Sequence, residues 1–260
     1  MVAYTATSGS ALLRGLELLE ALDSDEARAA GGLGVTRIAA LVGREKSQVS
    51  RALAALAGAG YVEREPATRR YRIGWRIAAM GGRAHEALLA AAAAPVLGRL
   101  VAEVGETAHA TVLRGGEVLT VASESPARAV EAAGWIGRTV PVWCTASGRA
   151  LLADEDDAAV RLRVGATLAV AGPNAPRSPG DLIARLRVDR RRGFAVADEE
   201  LEAGLLGVAA PVRDASGRVV AAVNVSGPKY RLEPGLEAAA AAVVAAAATL
   251  AGRLAGAAPA

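Results

Sequence analysis

TRIAALVGREKSQVSRALAALAGAGYVEREPATRRYRIGWR, residues 36–76, decides how the first part of this chain folds. Thr36 stands where an N-cap belongs, ahead of Ile38, Ala39, Leu41 and Val42 at helical spacing. Gly43 closes that short helix. A second helix is predicted over residues 44–57, with Val49, Leu53 and Leu56 recurring on its inward face. Two helices joined by a tight, glycine-containing turn form a helix-turn-helix. Gly60 then ends the helix, residues 61–65 read as a strand, residues 66–68 as a turn and residues 69–73 as a returning strand. The result is a hairpin with arginines at its tip, the wing of a winged helix.

Upstream, Ser8 or Ser10 can cap a first helix whose inward stripe is Leu12, Leu16 and Leu19, with residues 23–34 following as a loop. The outward side of the third helix gathers Lys46, Ser47, Gln48, Ser50 and Arg51 in its first two turns, just after Arg44. Side chains of this kind on the first turns of a helix in the major groove can reach base edges and phosphates. Arg64, Arg69 and Arg70 on the wing suit phosphates or the minor groove. The alternative reading is a solvated polar face and an exposed basic hairpin. Charge distribution favours the first: residues 36–76 carry nine Arg or Lys against three Glu, whereas residues 95–260 carry eighteen of each sign.

Apolar residues make up 52% of the 260 residues but aromatics only 3%, so the cores must be built from Leu, Val, Ile and Ala. The single cysteine, Cys144, forbids an internal disulfide and fits a reducing, cytoplasmic setting. Residues 1–10 lack the features of a signal peptide. The Ala/Val run at residues 236–251 is short and bracketed by Glu237 and Arg253, which favours a buried or dimer-packing helix over a membrane span.

Residues 75–94 read as an alanine-rich linker helix ended by Pro95. Beyond it a helix is expected at 96–104, then hairpins at 107–113/118–123 and 206–213/218–226, with helices between and a last helix at 236–254. Two hairpins with flanking helices have the layout of a GAF-like sensor domain.

The run Lys46-Ser47-Gln48-Val49-Ser50-Arg51-Ala52-Leu53, with Gly60-Tyr61-Val62 and Tyr71-Arg72-Ile73-Gly74, resembles the DNA-binding domain of IclR-type regulators. Further motifs extend the resemblance to the C-terminus: Gly137-Arg138-Thr139-Val140-Pro141, residues 145–152, Arg192-Gly193-Phe194-Ala195-Val196, Asp198-Glu199-Glu200, Gly204, residues 209–212, Gly217 and residues 221–228. The resemblance implies a linker helix that helps subunits pair, and an effector pocket bordered by Val140, Ala146, Ser147, Gly207, Asn224 and Ser226. Three positions depart from some members: Trp143, Ala197 and Gly207.

The residues themselves add chemistry to that pocket. Thr145 can cap the helix that starts at Ala146, leaving the amides of Ala146, Ser147 and Gly148 to face an anion, so a carboxylate effector is expected. Asn224 and Ser226, two apart on one strand, share a face opposite Val223 and Val225. Asp198 is the nearest carboxylate, although Asp198-Glu199-Glu200 reads equally as helix-start acids or a loop held against arginines. Cys144 is expected in the pocket wall. Its position beside a helix N-terminus leaves a second reading open, a thiol enzyme or sensor with the N-terminal domain as an interaction module. His109 could serve as a base but nothing visibly orients it, and no metal spacing, P-loop or dinucleotide turn occurs.

The fold class is therefore α+β: a winged helix-turn-helix over residues 1–76, a linker helix over 77–94 and a GAF-like α/β effector domain over 95–260. The expected function is a non-enzymatic, ligand-responsive transcriptional regulator with repression as the default. Its partners are double-stranded operator DNA, a small-molecule effector and a second copy of itself, in a homodimer with a tetramer as the alternative; no membrane partner, metal or cofactor is expected.

Overall fold

The computed structural model describes residues 11–127 and 134–256. Ser8 and Ser10, the expected caps of the first helix, lie outside them. The chain divides into two compact units, with the boundary between His85 and Glu86.

The first unit contains α1 (Ala11–Leu22), α2 (Asp25–Ala29), α3 (Val35–Leu41), α4 (Lys46–Gly58) and the antiparallel pair β1 (Val62–Arg64) and β2 (Tyr71–Ile73). Leu18, Leu22, Ile38, Val49, Leu53, Val62 and Tyr71 form its core. The inward stripe of α1 differs from the expected one. Six leucines in twelve residues allow two stripes. Packing buries Leu18 and Leu22, half-buries Leu19 and leaves Leu12 and Leu16 72% and 40% exposed. The expected loop at 23–34 contains α2, five residues long and capped by Ser24, too short to register as a period. Gly34, not Thr36, is the N-cap of α3. Leu33 exchanges two backbone hydrogen bonds with Tyr71 (2.9 and 2.8 Å), which holds the chain extended until Gly34 and delays the helix.

α5 (Trp75–Val104) runs on through Pro95, correcting the break expected there. Proline removes one helical hydrogen bond. Here Leu89, Ala93, Val96, Leu97 and Leu100 bury into one core on both sides of it, while Pro95 itself faces solvent.

In the second unit, β3 (Thr107–Arg114), β4 (Glu117–Glu124), β5 (Thr139–Pro141), β6 (Ala195–Asp198), β7 (Leu205–Arg213) and β8 (Val219–Pro228) form one antiparallel sheet in the order β5-β4-β3-β8-β7-β6. The two expected hairpins are β3–β4 and β7–β8, joined through β3 and β8 at the sheet centre. One face packs on α5 and α10 (Leu236–Gly256), through Ala108, Ala110, Val223 and Val225 against Leu97, Val243 and Leu250. The other face meets α6 (Ala146–Leu151) and α8 (Pro179–Arg192), with α7 (Asp157–Val164) beside them. The short α9 (Lys229–Leu232) links β8 to α10. By length and composition alone, Trp75–Val104 and Lys229–Gly256 could each cross a membrane. In the fold, α10 instead buries Ala239, Val243, Ala246, Ala247 and Leu250 in the sheet's core.

Candidate functional site

The first site is the outer face of α4. Burial of Val49 and Leu53 anchors the helix, so Lys46, Ser47, Gln48, Ser50 and Arg51 all stand exposed on its other side. Among the described residues, Lys46, Arg51 and Arg69 join no ion pair, so their charge is uncommitted. Arg44 differs: its guanidinium makes a two-pronged hydrogen bond to Glu17 (2.9 and 3.1 Å), tying the turn before α4 to α1. Thr36 is exposed in the first turn of α3. On the wing, Arg64 lies 5.5 Å over the Tyr71 ring and Arg70 donates to the Ala30 carbonyl. Arg69 sits at the tip with φ 58°, a left-handed conformation uncommon outside glycine.

The second site is a cavity of about 520 Å³ between the sheet and α6. That volume suits a small organic ligand. Strand alternation builds its floor: Thr107, His109 and Thr111 of β3 point into it, while Ala108, Ala110 and Val112 face the opposite core. Thr120 of β4, Gly207 of β7 and Asn224 and Ser226 of β8 complete the polar side. Val140, Cys144, Thr145, Ala146 and Ser147 form the facing wall. Eight of the nine expected effector positions therefore line one cavity. The exception is Asp198, whose carboxylate is turned to Lys229 Nζ (2.8 and 2.9 Å) and is absent from the lining.

Thr145 caps α6 as expected, its Oγ1 accepting from Gly148 N at 3.0 Å. That bond takes the Gly148 amide, so at most Ala146 and Ser147 of the three expected amides remain for a ligand. α6 packs so closely on the turn at Val142–Cys144 that a Cβ on Gly148 would fall 1.9 Å from the Val142 carbonyl oxygen. Cys144 is buried, and burial with the negative charge of Glu200 pushes its thiol up to about 12. The thiol therefore stays protonated at neutral pH, the reverse of what a nucleophilic cysteine needs. At the rim, Arg231 grips Glu106 through two hydrogen bonds (2.6 and 3.0 Å).

Sequence reasoning weighed His109 only as a base, and passed over Thr111, Thr120 and Trp135 as lining residues. His109 is 5% exposed, its Nε2 lies 3.4 Å from Ser226 Oγ, and its ring meets Trp135 edge-on at 5.8 Å. Burial pulls its pKa down to about 4. The unfolded chain, with an ordinary histidine pKa near 6.5, therefore takes up the proton first as pH falls. Stability is expected to drop by about 2 kcal/mol between about pH 7.5 and about pH 5 on this account. His109→Phe should remove that component, and thermal melts across pH measure it; identical pH curves for the two proteins would exclude it.

Two family models match the chain: the IclR helix-turn-helix domain over residues 11–66, and the bacterial transcriptional regulator IclR C-terminal domain over residues 83–251. The Pca regulon regulatory protein of Pseudomonas putida is 38% identical over 140 residues, 53% of this chain but only 48% of that protein. The HTH-type transcriptional regulator XynR of Escherichia coli is 30% identical over 82% of this chain and 84% of its own length. The HTH-type transcriptional repressor AllR of Salmonella typhimurium is 28% identical over 88% of this chain and 84% of its own. Among solved structures, an IclR homolog from Microbacterium hydrocarbonoxydans complexed with 4-hydroxybenzoate superposes with a TM-score of 0.60 at 25% identity, covering 94% of this chain and 99% of that one. A helix-turn-helix with an uncommitted basic face, a ligand-sized cavity in a separate unit and these matches agree: the chain belongs to the IclR family of ligand-responsive, DNA-binding transcriptional regulators.

Proposed function

We propose that Lys46, Ser47, Gln48, Ser50 and Arg51 on α4 read the base edges of an operator, with Thr36, Arg44, Arg64, Arg69 and Arg70 neutralising or positioning against its phosphates. The observation that carries this is the polar face of α4, exposed and with Lys46 and Arg51 in no ion pair among the described residues, while Val49 and Leu53 lock the helix into the core. Arg44 would contact DNA only with the part of its guanidinium left over from Glu17.

The effector is a small carboxylate-bearing compound seated in the cavity between β8 and α6. Asn224, Ser226 and Ser147 supply side-chain donors there, while the Thr145 hydroxyl is spent on the Pro141 carbonyl. The 4-hydroxybenzoate bound by the Microbacterium homolog supports an acid of about that size. Occupancy shifts an equilibrium between DNA-competent and DNA-incompetent states, with α5 as the element common to both units. Residues 1–76 bind DNA, 77–94 link and 95–260 sense. The protein works in the cytoplasm as a homodimeric repressor on a pseudo-palindromic operator, each subunit reading one half-site.

Fluorescence anisotropy on the DNA upstream of its own gene, against a scrambled duplex and over a salt series, tests the reading. The expected result is a preference of at least about 1,000-fold with a steep salt dependence. A panel of small carboxylates that includes 4-hydroxybenzoate should release the native complex. Asn224→Ala with Ser226→Ala should abolish that release and leave operator affinity intact. Equal binding to both duplexes counts against the operator, and normal release from the double variant counts against the cavity.

A further inference from the structure

Two buried polar atoms of cavity-lining residues have no partner among the described residues: His109 Nδ1 and Asn224 Oδ1. They belong to residues directly opposite each other on the paired strands β3 and β8. Both side chains line the cavity, and their residues are only 5% and 9% exposed. Unpaired polar groups at such depth are rare in folded proteins and costly to leave dry. Neither atom is open to water here, so a group entering the cavity gains most if it reaches both.

We propose that His109 and Asn224 together read a hydroxyl group on the effector, so that the protein selects hydroxylated acids over their unhydroxylated counterparts. The inference deepens the effector reading above and rests on the same cavity. A hydroxyl both donates one proton and accepts at its oxygen, so it can satisfy a neutral imidazole nitrogen and a carboxamide at once. A carboxylate only accepts. At this spot it would leave Asn224 Oδ1 unpaired and would favour a charged imidazole, which burial opposes. Among the described residues, the other ionisable groups lining the cavity are Glu106 and Arg231, already paired with each other, and Glu202 and Cys144. The Trp135 ring, edge-on to His109, supplies a flat apolar surface beside the polar pair.

Calorimetric titration of the full chain with matched probes tests this. The pairs are 4-hydroxybenzoate with benzoate and with 4-methoxybenzoate, lactate with propionate, and phenol with anisole. The expected result is that at least one hydroxylated member binds about ten-fold or more tighter than its partner. His109→Phe and, separately, Asn224→Leu should each collapse that ratio toward unity. Should either variant fold poorly, nitrogen-15 spectra of the native protein give an independent reading, because the chain holds only two histidines, His85 and His109. On saturation with the preferred probe, one imidazole should keep its neutral signature at pH 7 while its ring nitrogens shift.

Acids that bind with no preference for the hydroxyl overturn this proposal and leave the carboxylate reading standing. Conversion of that imidazole to imidazolium on binding also overturns it. Phenol binding over anisole, with no acid bound, sustains the hydroxyl inference and removes the carboxylate one. Failure of every hydroxylated probe to bind ends both.

Discussion

Arg149→Ala is expected to destabilise the second unit by about 3–5 kcal/mol, the range for breaking a buried ion pair by removing one partner. The Arg149 side chain is only 2% exposed, and it faces Asp189 on α8 and Glu200 before β7, whose side chains are 7% and 5% exposed. Its Nε donates to Asp189 Oδ2 at 2.7 Å, its Nη1 to Glu200 and its Nη2 to the Val196 carbonyl on β6. Burial works against the guanidinium charge, but Glu200 and Asp189 outweigh it and hold the pKa above the ordinary arginine value. Alanine would take one arginine from each of two buried carboxylates and a donor from the Val196 carbonyl. Arg185 and Arg192 reach the same carboxylates (2.9 and 2.7 Å) and set the loss at the lower rather than the upper end. Arg149→Lys should recover only part, because a single ammonium cannot span Asp189, Glu200 and the Val196 carbonyl together. Urea denaturation measures both, and a loss below about 1 kcal/mol for alanine would mean the cluster contributes little. Since α6 also carries Ala146 and Ser147 of the cavity wall, effector affinity should weaken in parallel.

This cluster also shows where sequence stops being readable. Asp198-Glu199-Glu200 permitted three readings, and the choice among them depends on what folds against it. Asp198 and Glu199 meet Lys229, while Glu200 meets Arg149 and Arg185. Those partners lie 15 to 51 residues away, and no local pattern points to them. Alternation and turn chemistry are local, so both hairpins, the Thr145 cap and the shared face of Asn224 and Ser226 were legible. His109 was half legible. Its alternation with Thr107 and Thr111 marks one face of a strand, but its opposition to Asn224 depends on the pairing of β3 with β8, over a hundred residues apart. The helix through Pro95 was lost for a similar reason. Proline's local preference argues for a break, and burial on either side of it overrides that preference.

Two positions on α4, two residues apart, should separate fold from recognition. Leu53 is fully buried at the centre of the first unit's core. Leu53→Ala deletes three carbons and leaves a cavity, at a cost of about 2–5 kcal/mol. The first unit is small, with ten buried hydrophobic residues in its core among those described, so such a loss takes most of its margin. Operator binding should then collapse together with the low-temperature part of the melting curve. The second unit, with its own core, should keep its ligand affinity. Arg51 projects from the same helix into solvent and joins no ion pair among the described residues. Arg51→Ala should leave the melting curve unchanged and weaken operator binding by about 1–3 kcal/mol, with relaxed discrimination at one base pair. Arg69→Ala, which removes the phosphate contact proposed for the wing, should instead weaken all duplexes alike and lower the salt slope by about one unit. If Arg51→Ala behaves like Arg69→Ala, α4 touches the backbone and not the bases, and sequence reading lies elsewhere in the first unit. If it leaves every duplex unchanged, α4 is not the reading helix.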